Sequence, residues 1–263
     1  MWVSRYFIWF VIFGFMGWIW ETTYCTLDRG SWRNRGFLFG PLIPIYGVGA
    51  TAISAVVECL AGKGYTNLTW WQVFLIAFFG SMVLEYATHW GLEKMFHMVW
   101  WDYSKMPLNI NGRICLPAST LFGLAGILVV FKLYPLVDRM TSWIPAIWME
   151  LLALIMMALL AADLTLTVNT ITNFTKELMA NHDKWNAHMT AFVESLELDE
   201  KKEEIEERVQ REKERFSKEH VEASFARMNG LSKSALTRVK DFRPKQPEKS
   251  RDFLRYMKDY MNK

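Results

Sequence analysis

Five stretches of the chain run for roughly 20 residues with almost no charge, the length an α-helix needs to cross the ~30 Å hydrocarbon core of a bilayer. They extend from Tyr6 to Thr26, Pro41 to Leu60, Leu68 to Leu92, Ile114 to Tyr134 and Trp143 to Leu166. Within the first, Glu21 is the only charged residue; the fifth holds Glu150 and Asp163. Arg5 alone makes a poor basic region, and a small-residue cleavage site is missing. The first stretch therefore reads as a retained span rather than a signal peptide. The expected fold class is an all-α integral membrane protein. It has about five transmembrane helices, irregular or re-entrant segments between them, and a charged helical C-terminal tail.

Charge sharpens that division. The chain has 263 residues, and residues 1–175 hold only 10 of its 30 Lys+Arg and 9 of its 27 Asp+Glu. A water-soluble domain of that length needs far more polar surface. An ordinary soluble enzyme, a secreted disulfide scaffold and a reader of nucleic acid built only on basic charge are excluded. The expected organisation is a transmembrane domain over 1–175, an acidic charged cytoplasmic helix over 176–222 and a basic, aromatic-containing tail over 223–263. Residues 176–222 carry 9 basic and 14 acidic side chains, and residues 223–263 carry 11 and 4. Phe242, Phe253, Tyr256 and Tyr260 interleave with the basic residues. That mixture beside an inner leaflet suits anionic headgroups, and a disordered tail fits the composition equally well; nucleic acid is a weaker partner for it. Cys25, Cys59 and Cys115 form no zinc-type pattern.

Basic residues in short loops favour the cytoplasmic side. With the N-terminus outside, the inner loops hold Arg29, Arg33, Arg35, Lys94, Lys105 and Arg113, against Arg5, Lys63, Lys132 and Arg139 outside. The expected topology is multi-pass, N-terminus outside and C-terminus cytoplasmic.

Two stretches depart from plain helix. Arg35–Ala50 contains Gly36, Gly40, Gly47 and Gly49 with Pro41 and Pro44, residues that suit tight turns, close packing and a helix start. A helix N-terminus at membrane depth offers N–H groups to an anion or polar substrate; a loop entering a small-residue packing face is the plainer alternative. Trp100-Trp-Asp-Tyr-Ser104 leads into Pro107, Asn109, Asn111, Gly112 and Arg113. Pro107 and Gly112 prevent a continuous helix there, so the segment lies flat or dips inward. It reads either as a site or as an aromatic belt with a turn. Asp102 and Arg113 are expected to pair across that turn.

Acidic residues in the spans cost about 2.5–3.5 kcal/mol each at the bilayer centre, so they face protein or a wet cavity. Glu58 and Asp163, near helix ends, are expected to reach headgroups instead. Glu85, His89, Glu93 and His97 follow at steps of four, so adjacent members share a helix face. A polar seam between helices is the favoured reading over a metal site, because the HExxH pattern is absent. No P-loop or Ser-His-Asp arrangement is legible, and neither metal nor cofactor is expected.

Several of these residues fall in short motifs: Gly17-Trp18-x-x-Glu21, Arg35-Gly-Phe-Leu, Gly40-Pro41-x-x-Pro44-Ile-Tyr-Gly47, Glu85-Tyr86 followed by Glu93-Lys94, Trp100–Ser104 and Asn109–Leu116. In these the chain resembles the putative ABC-transporter type IV family, the CmpB-type membrane proteins of bacteria, over roughly residues 5–170. The resemblance implies a permease-like subunit of a transport system in the bacterial plasma membrane, with membrane lipids around it. Its partners would be a cytoplasmic ATPase or another transport subunit, or a second copy of the chain. Glu21, Glu85, Glu93, Asp102, Tyr103, Asn109, Asn111 and Arg113 are the candidates for a substrate or ion path. The alternative is an intramembrane enzyme acting on a lipid-linked or apolar substrate at the cytoplasmic interface, with Glu85 or Glu93 as acid or base and Arg113 holding a phosphate or carboxylate. A scaffold whose tail recruits partners is a third reading.

The loop charges yield a direct test of topology. A reporter fused after Lys263 is expected to be active only if it works in the cytoplasm; activity of an exclusively extracellular reporter there would overturn the N-out assignment.

Overall fold

A computed structural model describes residues 2–29, 36–64, 68–96 and 98–194, together with Arg211 and residues 243–244. Arg33, Arg35, His97 and, apart from those three tail residues, everything expected of the tail beyond Glu194 lie outside the described residues. Five helical stretches are long and apolar enough to cross a membrane: Trp2–Leu27, Pro44–Gly62, Trp70–Phe96, Leu116–Ser142 and Ala146–Asn173. They fall in helices α1 (Trp2–Arg29), α2 (Pro44–Gly62), α3 (Trp70–Phe96), α4 (Leu116–Leu128), α5 (Tyr134–Ser142) and α6 (Ala146–Glu194). A π-helical turn, Val129–Leu133, joins α4 to α5 within the fourth span. Among the described residues, strands are confined to two-residue pairs: β1 (Met98–Val99) with β4 (Arg243–Pro244), and β2 (Asn109–Ile110) with β3 (Ile114–Cys115), both antiparallel.

The chain divides into two compact units, Met1–Lys94 with Trp100–Thr167, and Met95–Val99 with Val168–Lys263. The second contains the β1–β4 pair and buried Phe96, Thr170 and Ile171. The first contains the helices described next.

Prolines set several helix starts. Pro44, Pro117 and Pro135 each occupy the first or second position of a helix, where a missing N–H costs nothing. The fourth span nevertheless continues past Pro135 to Ser142, eight residues beyond the expected Tyr134. Pro135 removes one backbone donor, and the π turn just before it redistributes the bonding rather than ending the helix.

Large apolar side chains, among them Trp20, Phe79, Val83, Leu121 and Leu154, stand exposed on these helices. Such a surface suits lipid, and a soluble monomer rarely presents it. The interior holds aromatic and branched clusters instead. Trp9, fully enclosed, packs with Phe13 and Val137, donates its indole N–H to Thr141 Oγ1 at 3.1 Å and meets Tyr134 edge-to-face at 5.3 Å. Ile53, Val73 and Val130 form a second cluster. Small residues allow the helices to approach: a Cβ on Gly126 would lie 2.2 Å from that of Ala77.

Two acids thought to reach headgroups are held by the protein itself. Glu58 pairs with Arg5 and accepts the Tyr6 hydroxyl at 2.8 Å, with Asp138 Oδ1 3.9 Å from the same guanidinium. Asp163 accepts the backbone N–H groups of Phe39 and Gly40 at 2.8 and 2.7 Å, and the Thr167 hydroxyl at 3.2 Å. A Cβ at residue 40 would lie 2.8 Å from the Asp163 carboxylate, so only glycine admits this clamp. Ile43 N–H donates to Gly14 O of α1 at 3.1 Å, which brings the start of α2 to the middle of the first span. The backbone donors just ahead of α2 are therefore satisfied from within.

Removing the clamp strips an acceptor from two backbone donors, each such bond to a charged group being worth about 1.5–3 kcal/mol. Asp163→Ala should lower stability by about 2–4 kcal/mol in thermal unfolding of the detergent-solubilised protein, and Asp163→Asn should fall between it and the wild type. An unchanged midpoint for Asp163→Ala would mean that segment 36–43 is held by other contacts.

Candidate functional site

Glu85, His89 and Glu93 lie on one face of α3, and each is at least nine-tenths buried. What covers them is the segment from Trp100 to Cys115, folded back over the last turns of the helix. The irregular segment expected here, and not only a neighbouring helix, is what meets the Glu85, His89 and Glu93 face.

The segment owes its shape to its own polar residues. Asp102 Oδ1 accepts the Ser104 N–H at 2.9 Å, an Asx turn. The Asn109 amide donates to Ser104 O and Met106 O at 3.2 and 2.8 Å, while its oxygen accepts the Gly112 N–H at 3.1 Å. Asn111 and Gly112 take positive φ values of 53° and 67° to close the β2–β3 turn, a conformation open to asparagine and glycine at low cost. Tyr103 N–H then reaches Gly112 O at 2.8 Å, and Trp101 donates its indole N–H to Arg113 O at 2.9 Å. Asp102 and Asn109 thus build the turn, and its rigidity aims Tyr103 and Arg113 at α3.

Arg113 supplies the central link. Its Nη2 lies 2.8 Å from Glu93 Oε2 and its Nη1 donates to the Tyr86 hydroxyl at 2.8 Å, with the guanidinium carbon 5.0 Å from the Tyr86 ring centre. The expected Asp102–Arg113 pair does not form. The β2–β3 turn points Arg113 toward α3, where Glu93 is buried and in need of a cation, whereas exposed Asp102 is used by the backbone. The hydrogen bond to Glu93 raises the Arg113 pKa further above its ordinary value, so the guanidinium stays charged.

His89 joins the same network. Its Nε2 lies 3.0 Å from Trp101 O, and a carbonyl can only accept, so Nε2 carries a proton. The other ring nitrogen lies 3.6 Å from Glu93 Oε2. Among the described residues, no three His, Cys, Asp or Glu side chains are grouped as a metal site requires.

Further along the helix, Tyr103 places its hydroxyl 3.4 Å from Glu85 Oε1. Burial, reinforced by the charge of Glu85, pushes the Tyr103 pKa well above its ordinary value, so the phenol remains a neutral donor. Tyr46 of α2 packs against Gly17 of α1, one turn from Glu21, and lies within electrostatic reach of Glu21, Glu85 and Tyr103. Glu21, Tyr46, Glu85 and Tyr103 therefore share one region, reached from three spans and the folded segment. Asn111 approaches the Tyr86 hydroxyl at 3.5 Å from the exposed side. Tyr46 and Tyr86 were not singled out as site residues, although both sit inside motifs that carry the family resemblance.

Five membrane-length helices define a multi-pass membrane protein, and three of them contribute to the acid–tyrosine cluster. The chain belongs to the family described as Putative ABC-transporter type IV, which matches residues 8–168. Family and spans together fit a transport-associated protein that associates with other transport subunits. No curated protein and no solved structure matches the chain.

Breaking a buried ion pair from one side leaves an uncompensated charge, at about 3–5 kcal/mol. Arg113→Ala should lose about that much stability in denaturant unfolding, and adding Glu93→Gln should restore part of it. Asp102→Ala should cost about 1 kcal/mol, as one lost turn bond, and should add simply to Arg113→Ala. Strong coupling between Asp102 and Arg113 would contradict this geometry.

Proposed function

We propose that this chain is a permease-like membrane subunit of a transport system. Glu21, Glu85, Glu93, Tyr103 and Arg113 line the path of a substrate or ion, and Asp102, Asn109 and Asn111 shape its mouth. The observation that carries this reading is the gathering of Glu21, Tyr46 and Glu85 from three spans with Tyr103 of the folded segment. Ionisable groups in that position are costly, and where they occur they mark the routes of polar cargo. Energy comes from a partner, a cytoplasmic ATP-hydrolysing subunit, or from an ion gradient, since no phosphate-binding loop occurs in the sequence. Five spans make a small permease, so a second copy or a partner subunit completes the enclosure. The setting is the bacterial plasma membrane, with the 98–115 segment and the C-terminus on the cytoplasmic side.

Water access tests the path. In a background with Cys25, Cys59 and Cys115 changed to Ala, Tyr103→Cys should react with a small charged thiol reagent at least 10-fold faster than Val83→Cys, a position exposed on the apolar face. Equal rates at both positions, with and without a partner ATPase and ATP, would leave the cluster a sealed structural network and end the path reading.

A further inference from the structure

Glu93 meets Arg113, Glu58 meets Arg5, and Asp163 accepts two backbone N–H groups. Glu85 has no such compensation. It stands about two turns before Glu93 on the same face of α3, and only 4% of its surface is exposed. Among the described residues its one bond comes from the Tyr103 hydroxyl at 3.4 Å, the long end of the range, and Oε2 has no hydrogen-bond partner. The groups gathered around it bring no cation: Glu21 of α1, Tyr46 of α2, and Tyr103 and Cys115 of the folded segment. Arg113 is bound to Glu93 and Tyr86, and His89, one turn further along α3, gives its Nε2 proton to Trp101 O.

Enclosing a carboxylate without a cation or a set of donors costs far more than enclosing the neutral acid, and a carboxyl so placed keeps its proton instead. We propose that Glu85 is a proton-binding site, its acid proton held on Oε2 while the Trp100–Cys115 segment covers it and released when that segment lifts. This rests on the transport reading for its role and names the proton as the ion that the path carries. Release breaks the Glu85 O–H bond and leaves the electron pair on the carboxylate, while the proton passes to water entering beneath the lifted segment. Tyr103 keeps its own proton throughout, so the pair holds one exchangeable proton. Acids within membrane spans serve as proton relays in pumps and transporters.

Infrared spectroscopy of the protein in lipid nanodiscs separates a carboxylic acid from a carboxylate by its carbonyl stretch. At neutral pH the wild type is expected to show an acid band that Glu85→Gln removes. If that variant does not fold, Glu85→Asp assigns the band by shifting it. A wild-type spectrum without an acid band at neutral pH, or a band that neither substitution touches, would overturn the proposal. Isotope exchange then separates a proton that moves from one that is only enclosed. After transfer to deuterated buffer the band should shift as deuterium replaces the proton, at least 10-fold faster in Asp102→Ala, whose covering turn has lost a bond. Equal exchange rates in the two proteins would also overturn it, because the cover would not govern release. A missing acid band leaves reagent access to Tyr103→Cys as it was, and equal access at Tyr103→Cys and Val83→Cys leaves the band in place, so the two readings fall separately.

Discussion

The grip of Asp163 on the backbone of Phe39 and Gly40 is the interaction from which the rest of the site follows. Segment 36–43 carries peptide groups into a layer of helices, and there each N–H must find an acceptor within the protein. Asp163 provides two at once from the last span, and Gly40 leaves room for its carboxylate. With the segment held, Pro44 can begin α2 level with the middle of α1. That start puts Tyr46 against Gly17, where a Cβ would lie 2.5 Å from the Tyr46 side chain, and so beside Glu21.

At the other edge of the site the same demand is met by a cation. Glu93 is buried, and Arg113 arrives on a turn held by both side-chain-to-backbone and backbone bonds. A buried pair of this kind often adds little net stability over an apolar equivalent. What it adds here is position: the segment that carries Arg113 also carries Tyr103 and Trp101, and both meet α3 only in the register set by that pair.

Hydropathy reports the cost of removing a residue from water, and on that basis the five spans and the irregular Trp100–Cys115 segment were legible in the sequence, while the four-residue spacing of Glu85, His89 and Glu93 placed them on one face. Partner choice was not. Asp102 lies 11 residues from Arg113 and Glu93 lies 20 away, so proximity along the chain favoured the wrong acid. Asp163 and Glu58 read as interfacial because their donors, Phe39, Gly40, Arg5 and Tyr6, come from spans and loops far away in sequence. The end of the fourth span was set too early for a related reason. Pro135 and the charges around it look like a stop, yet a helix in lipid has no better alternative than to continue around a proline.

The π turn at Val129–Leu133 gives the fourth span an arithmetic of its own. Each residue of a regular α-helix advances about 100° around the axis, whereas a π turn takes in one residue more before the next turn begins. Everything after Leu133 is therefore out of phase with what a uniform helix from Leu116 would present. Tyr134, Val137 and Thr141 meet Trp9 because of that single-residue offset. A chain shortened by one residue within 129–133 would recover an unbroken α-helix and, in doing so, rotate all three away from α1. In this span, local regularity and the correct facing of its far end exclude one another, and the fold has kept the facing.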